Sequence, residues 1–441
     1  MKLLTPDEIR WSLSEISSND FATLYPRVII GGLAIIYFVI YDDEHARKES
    51  FASPWEVGKL ILLTHLFGIF ILMLGFAANG LWGVVADWTF QATASVLKIF
   101  TSDVISDVSQ FKIGTSRFSG TLTEACSGLE GVGLISAFLG LYLYRTRSQL
   151  NWPRPLILFP LAWGLSWFIN LIRIVGLILI GDKISPEIAT EGFHSQSGWL
   201  AFTMIALFFT MSIRYSSFFS KQPSKAKFAS EIFKNQNFPY LLPMIVLLAI
   251  GLGTELFSNG FNWFHPIQYI FAALALAVVL PSTESFKVGS IPFALIAGVL
   301  VAVLWVYITP ANAQQNLLIS SKLLSLGVLG DFWLGAKLLG YVIIVPISEE
   351  LAFRGFFVRW IKSRDFRSVE LRSTSTFALI ASSFIFGMFH QNLMLGAIAG
   401  VCFGWVAKRG NSVWDAVFAH VVANGLIAAY AYHAGMWVIL S

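Results

Sequence analysis

Charge is what this chain has least of. Asp, Glu, Lys and Arg make up 13% of its 441 residues, against 56% hydrophobic. A soluble domain of this size carries about 25% charged residues, so that class is excluded. Cysteine is almost missing as well: Cys126 and Cys402 are the two there are. Two isolated cysteines build neither a disulfide framework nor a zinc motif. No stretch resembles a cleavable signal peptide, because the first 25 residues are polar and mixed in charge. The apolar runs lack period-two alternation, which argues against a membrane barrel. Internal repeats are missing too, so an inverted-repeat transporter is not supported. Basic residues sit in short segments between apolar runs, and nucleic acid is not an expected partner.

What is present is apolar sequence in lengths near the ~20 residues that cross a bilayer. Mean hydropathy is +0.69. In lipid the backbone must satisfy its own hydrogen bonds, so the expected fold is all-α, a polytopic transmembrane helical bundle. About 12 spans are expected, near 28–41, 59–81, 126–143, 155–181, 199–214, 238–257, 266–281, 291–309, 333–352, 374–390, 393–407 and 413–435. Segment 82–125 mixes Trp82, Trp88 and Phe100 with Asp87, Lys98, Asp103 and Asp107 and reads as an interfacial helix plus loop. Three basic clusters orient the chain with Arg145/Arg147/Arg154, Arg214–Lys234 and Arg354–Arg372 inside. The polar stretch 215–237 is expected to be a cytoplasmic linker between a membrane domain at 1–214 and another at 238–441.

Cys126 opens the third expected span at its outer end, within Glu124-Ala125-Cys126-Ser127-Gly128. Arg173 lies about 27 Å along the next span, counted from Pro155, and so near the same face. His194 follows in an expected outer loop, Gly192–Gly198. A thiol, a guanidinium and an imidazole are thereby brought to one membrane face. An imidazole and a cation favour the thiolate, and a fixed Arg can hold an oxyanion. An isolated Cys or loop His usually does nothing beyond packing or solvation. An Arg within an apolar run is costly, and its bland reading is a structural pair with Glu124 or Glu130.

Ala125-Cys126-Ser127-Gly128, Asn170-x-x-Arg173-Ile174 and the later His194 resemble the exosortase/archaeosortase family over roughly residues 25–215. The resemblance implies Cys126 as nucleophile, Arg173 as oxyanion stabiliser, His194 as acid/base partner and Asn170 in support, with no cofactor at this site. It also implies exported protein substrates with a C-terminal sorting signal of the PEP-CTERM type: a motif, a transmembrane helix and a basic tail. Glu130 departs from the pattern, since Arg or an uncharged polar residue is common there.

A second constellation begins where Ser348-Glu349-Glu350-Leu351-Ala352-Phe353-Arg354 closes an apolar span. Glu350 and Arg354 are four residues apart and can pair on one helical face, leaving Glu349 about 100° away as a candidate base. His390 ends one later span. His420 and Asn424 share a face of the last. Such groups can activate water and hold an oxyanion. They can also tie helices together, or relay protons in a transporter without hydrolysis. One strain is evident: Glu349 lies by the inner basic cluster, whereas His390 stands about 27 Å from Arg372 on a straight helix.

E-E-x-x-x-R, F-x-x-x-H and H-x-x-x-N, in that order, are similar to the CAAX-protease and bacteriocin-processing (CPBP) intramembrane endopeptidases over roughly residues 240–435. The resemblance implies that Glu349 and His390 activate water, that His420 and Asn424 stabilise the oxyanion, and that Glu350 and Arg354 support them. Glu349, His390 and His420 would also suit zinc. Their spacing differs from H-E-x-x-H, which favours metal-free glutamate chemistry. Together the two halves resemble the fused exosortase E/protease type. That implies a bacterial inner membrane protein with the Cys126 site facing the periplasm.

Overall fold

The computed structural model describes residues 82–122, 128–224, 235–259, 261–310 and 312–440. The expected spans at 28–41 and 59–81 lie outside the described residues, as does Cys126. The chain divides into two compact units, Met1–Ala226 and Lys227–Ser441.

In the first unit α1 (Trp82–Phe100) leads into β1 (Ile105–Asp107), β2 (Lys112–Gly114) and β3 (Ser119–Thr121). The three strands form an antiparallel sheet in the order β1-β2-β3. The expected helix is there, but the sheet replaces the expected loop. Its strands are three residues each, too short to show a periodicity, and Ser116 at the hairpin tip is held by the Asp103 carboxylate. One face of the sheet, with Ile113 and Leu122, packs on Ile174, Val175 and Ile178. Those residues belong to α3 (Leu158–Lys183), which lies with α2 (Leu129–Thr146) and α4 (His194–Tyr215) around a core of Ile135, Leu139, Ala162 and Phe209.

The second unit comprises α5 (Phe238–Glu255), α6 (His265–Val279), α7 (Ile291–Ile308), α8 (Ala313–Leu326), α9 (Val328–Trp360), α10 (Thr376–Met388), α11 (Leu393–Gly410) and α12 (Val413–Ala434). In α7 the small residues Ala294, Ala297, Gly298 and Ala302 are buried, while Leu295, Ile296, Leu300 and Val303 are exposed. Small residues inside and large aliphatic ones outside is the arrangement of a helix that packs closely and faces lipid. Among the described residues, eight helices are long and apolar enough to cross a membrane. The protein is thus a multi-pass membrane protein with an all-α membrane core. α10 has 13 residues, about 20 Å, and falls short of a straight crossing.

Two boundaries differ from expectation in ways that matter to the site. α9 does not stop near residue 352 as expected but runs on to Trp360. It widens into π-helical turns at Gly340–Ile344 and Leu351–Phe357, on either side of Pro346 and the Glu pair. Pro346 lacks the N–H that an α-helix would use there, and wide turns of this kind recur at functional sites. Arg354 and Arg359, expected in a cytoplasmic cluster, are consequently buried. α10 begins only at Thr376, where Ser375 caps it by accepting from the Ala378 N–H. Asn392 caps α11 in the same way through the Leu395 N–H. The continuation of α9 sets Glu349 about 16 Å before the helix end, which offsets most of the ~27 Å separation that a straight helix demanded of Glu349 and His390.

Candidate active sites

In the first unit α3 presents Ser166, Asn170 and Arg173 at i, i+4 and i+7, one helical face. Arg173 Nε donates to Ser197 Oγ at 2.9 Å, and its Nη2 donates to the His194 carbonyl at 2.8 Å. Its Nη1 reaches Asn170 Oδ1 at 3.5 Å. The guanidinium thus grips the first turn of α4. His194 is not in a loop as expected: the backbone continues through a π-helical turn, Ile188–Phe193, straight into α4. The glycines and serines of Gly192–Gly198 suggest a loop, but Arg173 ties this turn down.

Arg173, His194, Asn170 and Ser166 line a cavity of about 370 Å³ that continues between Gly131, Phe202 and Ile205. Arg173 and His194 also border a second space, about 30 Å³, whose other wall is Ile113, Gly120, Thr121 and Leu122 of the sheet. Burial first, and the Arg173 guanidinium second, push the His194 imidazole down to about 4, so it is neutral at pH 7. Ser166 Oγ is buried and has no hydrogen-bond partner among the described residues.

Gly128 connects this wall to Cys126. It stands at φ 73°, immediately before α2, and a Cβ there would come within 2.8 Å of the Asn170 Cβ. Glycine is therefore needed for its conformation and for the close approach. Two residues of chain reach at most ~7 Å, which bounds the distance from Gly128 to Cys126. Ser166 and Ser197 were not singled out from the sequence. The i,i+4 relation of Ser166 to Asn170, and the three-residue step from His194 to Ser197, are the signals available.

In the second unit Glu349, His390, His420 and Asn424 line one cavity of about 50 Å³ together with Tyr341, Trp305, Phe386 and Phe403. Glu350 and Arg354 lie behind it. Arg354 Nη1 contacts the Glu350 carboxylate at 2.8–2.9 Å, with the Arg354 and Glu350 side chains 1% and 0% exposed, and its Nη2 donates to the Gly400 carbonyl at 2.5 Å. His420 stands between the two carboxylates. Its Nδ1 is 3.0 Å from Glu350 Oε1, its Nε2 3.9 Å from Glu349 Oε2, and its ring stacks on Phe403 at 4.6 Å. Glu349 Oε2 makes no hydrogen bond among the described residues.

His390 Nδ1 is held by the Phe386 carbonyl at 2.9 Å. Gly396 permits that placement, since a Cβ there would sit 3.0 Å from the His390 ring. Asn424 donates an amide hydrogen to the Tyr341 carbonyl at 2.8 Å. The imidazole nearest to Glu349 is therefore that of His420, the one whose other nitrogen meets Glu350. Glu349, His390 and His420 share the cavity, but among the described residues no three His, Cys, Asp or Glu side chains gather closely enough to hold a metal ion.

Residues 14–211 match the family model of the transmembrane exosortases, and residues 331–426 match that of Type II CAAX prenyl endopeptidase Rce1-like proteins. No curated protein and no solved structure matches the chain. The two segments follow each other in the order of an exosortase joined to a CPBP protease. Both are families of membrane peptidases or transpeptidases, and they fall on different units of this chain.

Proposed function

We propose that an exosortase segment joined to a CAAX-protease segment makes this chain a processing enzyme with two unlike sites, both acting on exported proteins that carry a C-terminal sorting signal. The observation that supports it most directly is the convergence of Glu349 from α9, His390 from the turn between α10 and α11, and His420 and Asn424 from α12 on one cavity.

At that cavity the 3.9 Å gap between Glu349 Oε2 and His420 Nε2 is too long for a hydrogen bond and suits a bridging water. The space of about 50 Å³ can accommodate one. A water there gives one hydrogen to the carboxylate and one to the imidazole, leaving its oxygen lone pair for the scissile carbonyl. Glu349 takes the proton as attack proceeds and returns it to the leaving amine. The second amide hydrogen of Asn424 is the donor available to the developing oxyanion, while His390, whose Nδ1–H is given to the Phe386 carbonyl, presents its Nε2 as an acceptor. Glu350 and Arg354 position His420 and act through it.

At the front site the Cys126 thiolate attacks the scissile carbonyl and a thioester forms. Neutral His194 accepts the thiol proton and passes it to the departing amine. Arg173, clamped by Ser197 and the His194 carbonyl, stabilises the oxyanion. Water or an amine then resolves the thioester. The front site, facing the periplasm of a bacterial inner membrane, cuts the signal at its motif. The rear site processes the remaining membrane helix.

Co-expression with a candidate sorting-signal protein, followed by mass analysis, tests this reading. Cys126→Ala should leave the precursor intact. Glu349→Ala should release the exported portion normally but retain the leftover helix. Identical species from wild type and both variants would overturn the proposal.

A further inference from the structure

The three-stranded sheet of the first unit has an edge, beside Arg173 and His194, that pairs with no further strand among the described residues. In antiparallel pairs, residues that exchange backbone hydrogen bonds alternate with residues that do not. Thr115 N–H donates to the Phe118 carbonyl at 2.8 Å, and Leu122 N–H donates to the Phe111 carbonyl at 2.9 Å. With Ile113 opposite Gly120, these two bonds set the alternation along the whole hairpin. Gly120 turns its N–H and C=O inward to β2. Ser119 and Thr121 turn theirs outward, where no strand lies among the described residues.

The two edges of the sheet differ. β1 carries Asp107 and follows Asp103, charges of the kind that discourage strand pairing. β3, Ser119-Gly120-Thr121, has no charge and no proline, and Thr121 is exposed. Gly120 and Thr121 border the same small cavity as Arg173 and His194. Thr121 precedes Cys126 by five residues, at most ~17 Å of chain. Beyond Arg173 and His194 the 370 Å³ cavity continues between helices α2, α3 and α4.

We propose that the β3 edge binds the substrate polypeptide by strand addition, pairing the outward groups of Ser119 and Thr121 with an extended stretch next to the scissile bond. This rests on the front-site reading under the proposed function. The occupant is identified by its chemistry: a carbonyl within a helix is hydrogen-bonded and shielded, so a bond to be attacked must be presented in extended chain. Backbone pairing supplies affinity and register without demanding a particular side chain at every position. The extended stretch passes Arg173 and His194, and the substrate residues C-terminal to it enter the helix-lined cavity.

The precursor that accumulates in Cys126→Ala cells serves as the probe. p-Benzoylphenylalanine placed at Thr121 in that background should crosslink to the precursor within its extended stretch; at Ser106, on the opposite edge, it should not. In the active protein, Thr121→Pro removes an outward N–H and leaves the β2–β3 ladder whole. Cleavage should fall about tenfold, through KM rather than kcat. Ser106→Pro, which removes an outward N–H from β1, should cleave as wild type does. If Thr121→Pro fails to reach the membrane, the crosslink decides alone. Accumulation in Cys126→Ala without any crosslink at Thr121 would overturn strand addition and leave the cysteine site standing. No accumulation at all would overturn both.

Discussion

Each unit places an arginine beside its candidate site, and the two are used differently. Arg354 is sealed, 1% exposed, against Glu350 and a backbone carbonyl, with Phe386 4.7 Å from its guanidinium. Arg173 is half-buried on the wall of a cavity, and donates to a hydroxyl, a carbonyl and an amide. A buried cation that faces its own carboxylate is neutralised and serves the architecture. One that lines a cavity can turn its field toward an incoming charge. Under the proposed function the rear site would do its chemistry with Glu349, the carboxylate that Arg354 does not hydrogen-bond, and the front site with its Arg itself.

The largest expected effect separates the adjacent carboxylates of the rear site. Glu349→Gln should slow rear-site cleavage by about 10²–10⁴-fold with the fold intact, since the amide cannot take a proton from water. Glu350→Gln should act differently, loosening His420 and Arg354 and lowering the melting temperature in detergent. Mass analysis of the leftover helix alongside a thermal melt distinguishes them. Equal loss of activity at equal stability would refute the division.

Next in size is the contrast between the arginines. Arg354→Met leaves Glu350 buried and uncompensated, a cost of about 3–5 kcal/mol. The second unit should melt early. Arg173→Lys should instead leave melting nearly unchanged and slow front-site cleavage by about 10²-fold, because an ammonium cannot reproduce the fork that meets Ser197 and the His194 carbonyl. Early melting in Arg173→Lys would reduce that residue to a structural tie.

These contrasts are only half visible in the amino-acid order. The membrane class and most helices come directly from apolar length, and the Glu350–Arg354 pairing from i,i+4 spacing. What escapes depends on tertiary contact. The run Gly192–Gly198 has loop composition, yet it is helical and meets Arg173 from another helix, a contact that spacing does not disclose. The exact start of α10 rests on a single serine cap, Ser375. The short strands of residues 105–121 have no period to detect, although they form the edge beside the Arg173–His194 pair. His420 contacts Glu350 across 70 residues, a relation that spacing cannot disclose.

The smallest effect concerns pH, and it tests whether His194 works from the neutral state. Burial and Arg173 both disfavour the imidazolium and bring this group down to about 4 from an ordinary value of 6.5. Front-site kcat/KM should then stay level from pH 8 to 6 and decline only as pH approaches 4, because the proton-accepting form persists throughout. An acid limb centred near 6.5 would show a solvated imidazole and contradict the enclosed site. Stability carries the same signature. Below pH 6.5 the unfolded chain binds a proton at this position that the folded chain does not accept until about 4. Stability in the first unit should therefore rise with pH between 4 and 6.5 and level off above it, with the slope reduced in His194→Gln. An unchanged slope in that variant would place the titration elsewhere and leave the front site without its neutral base.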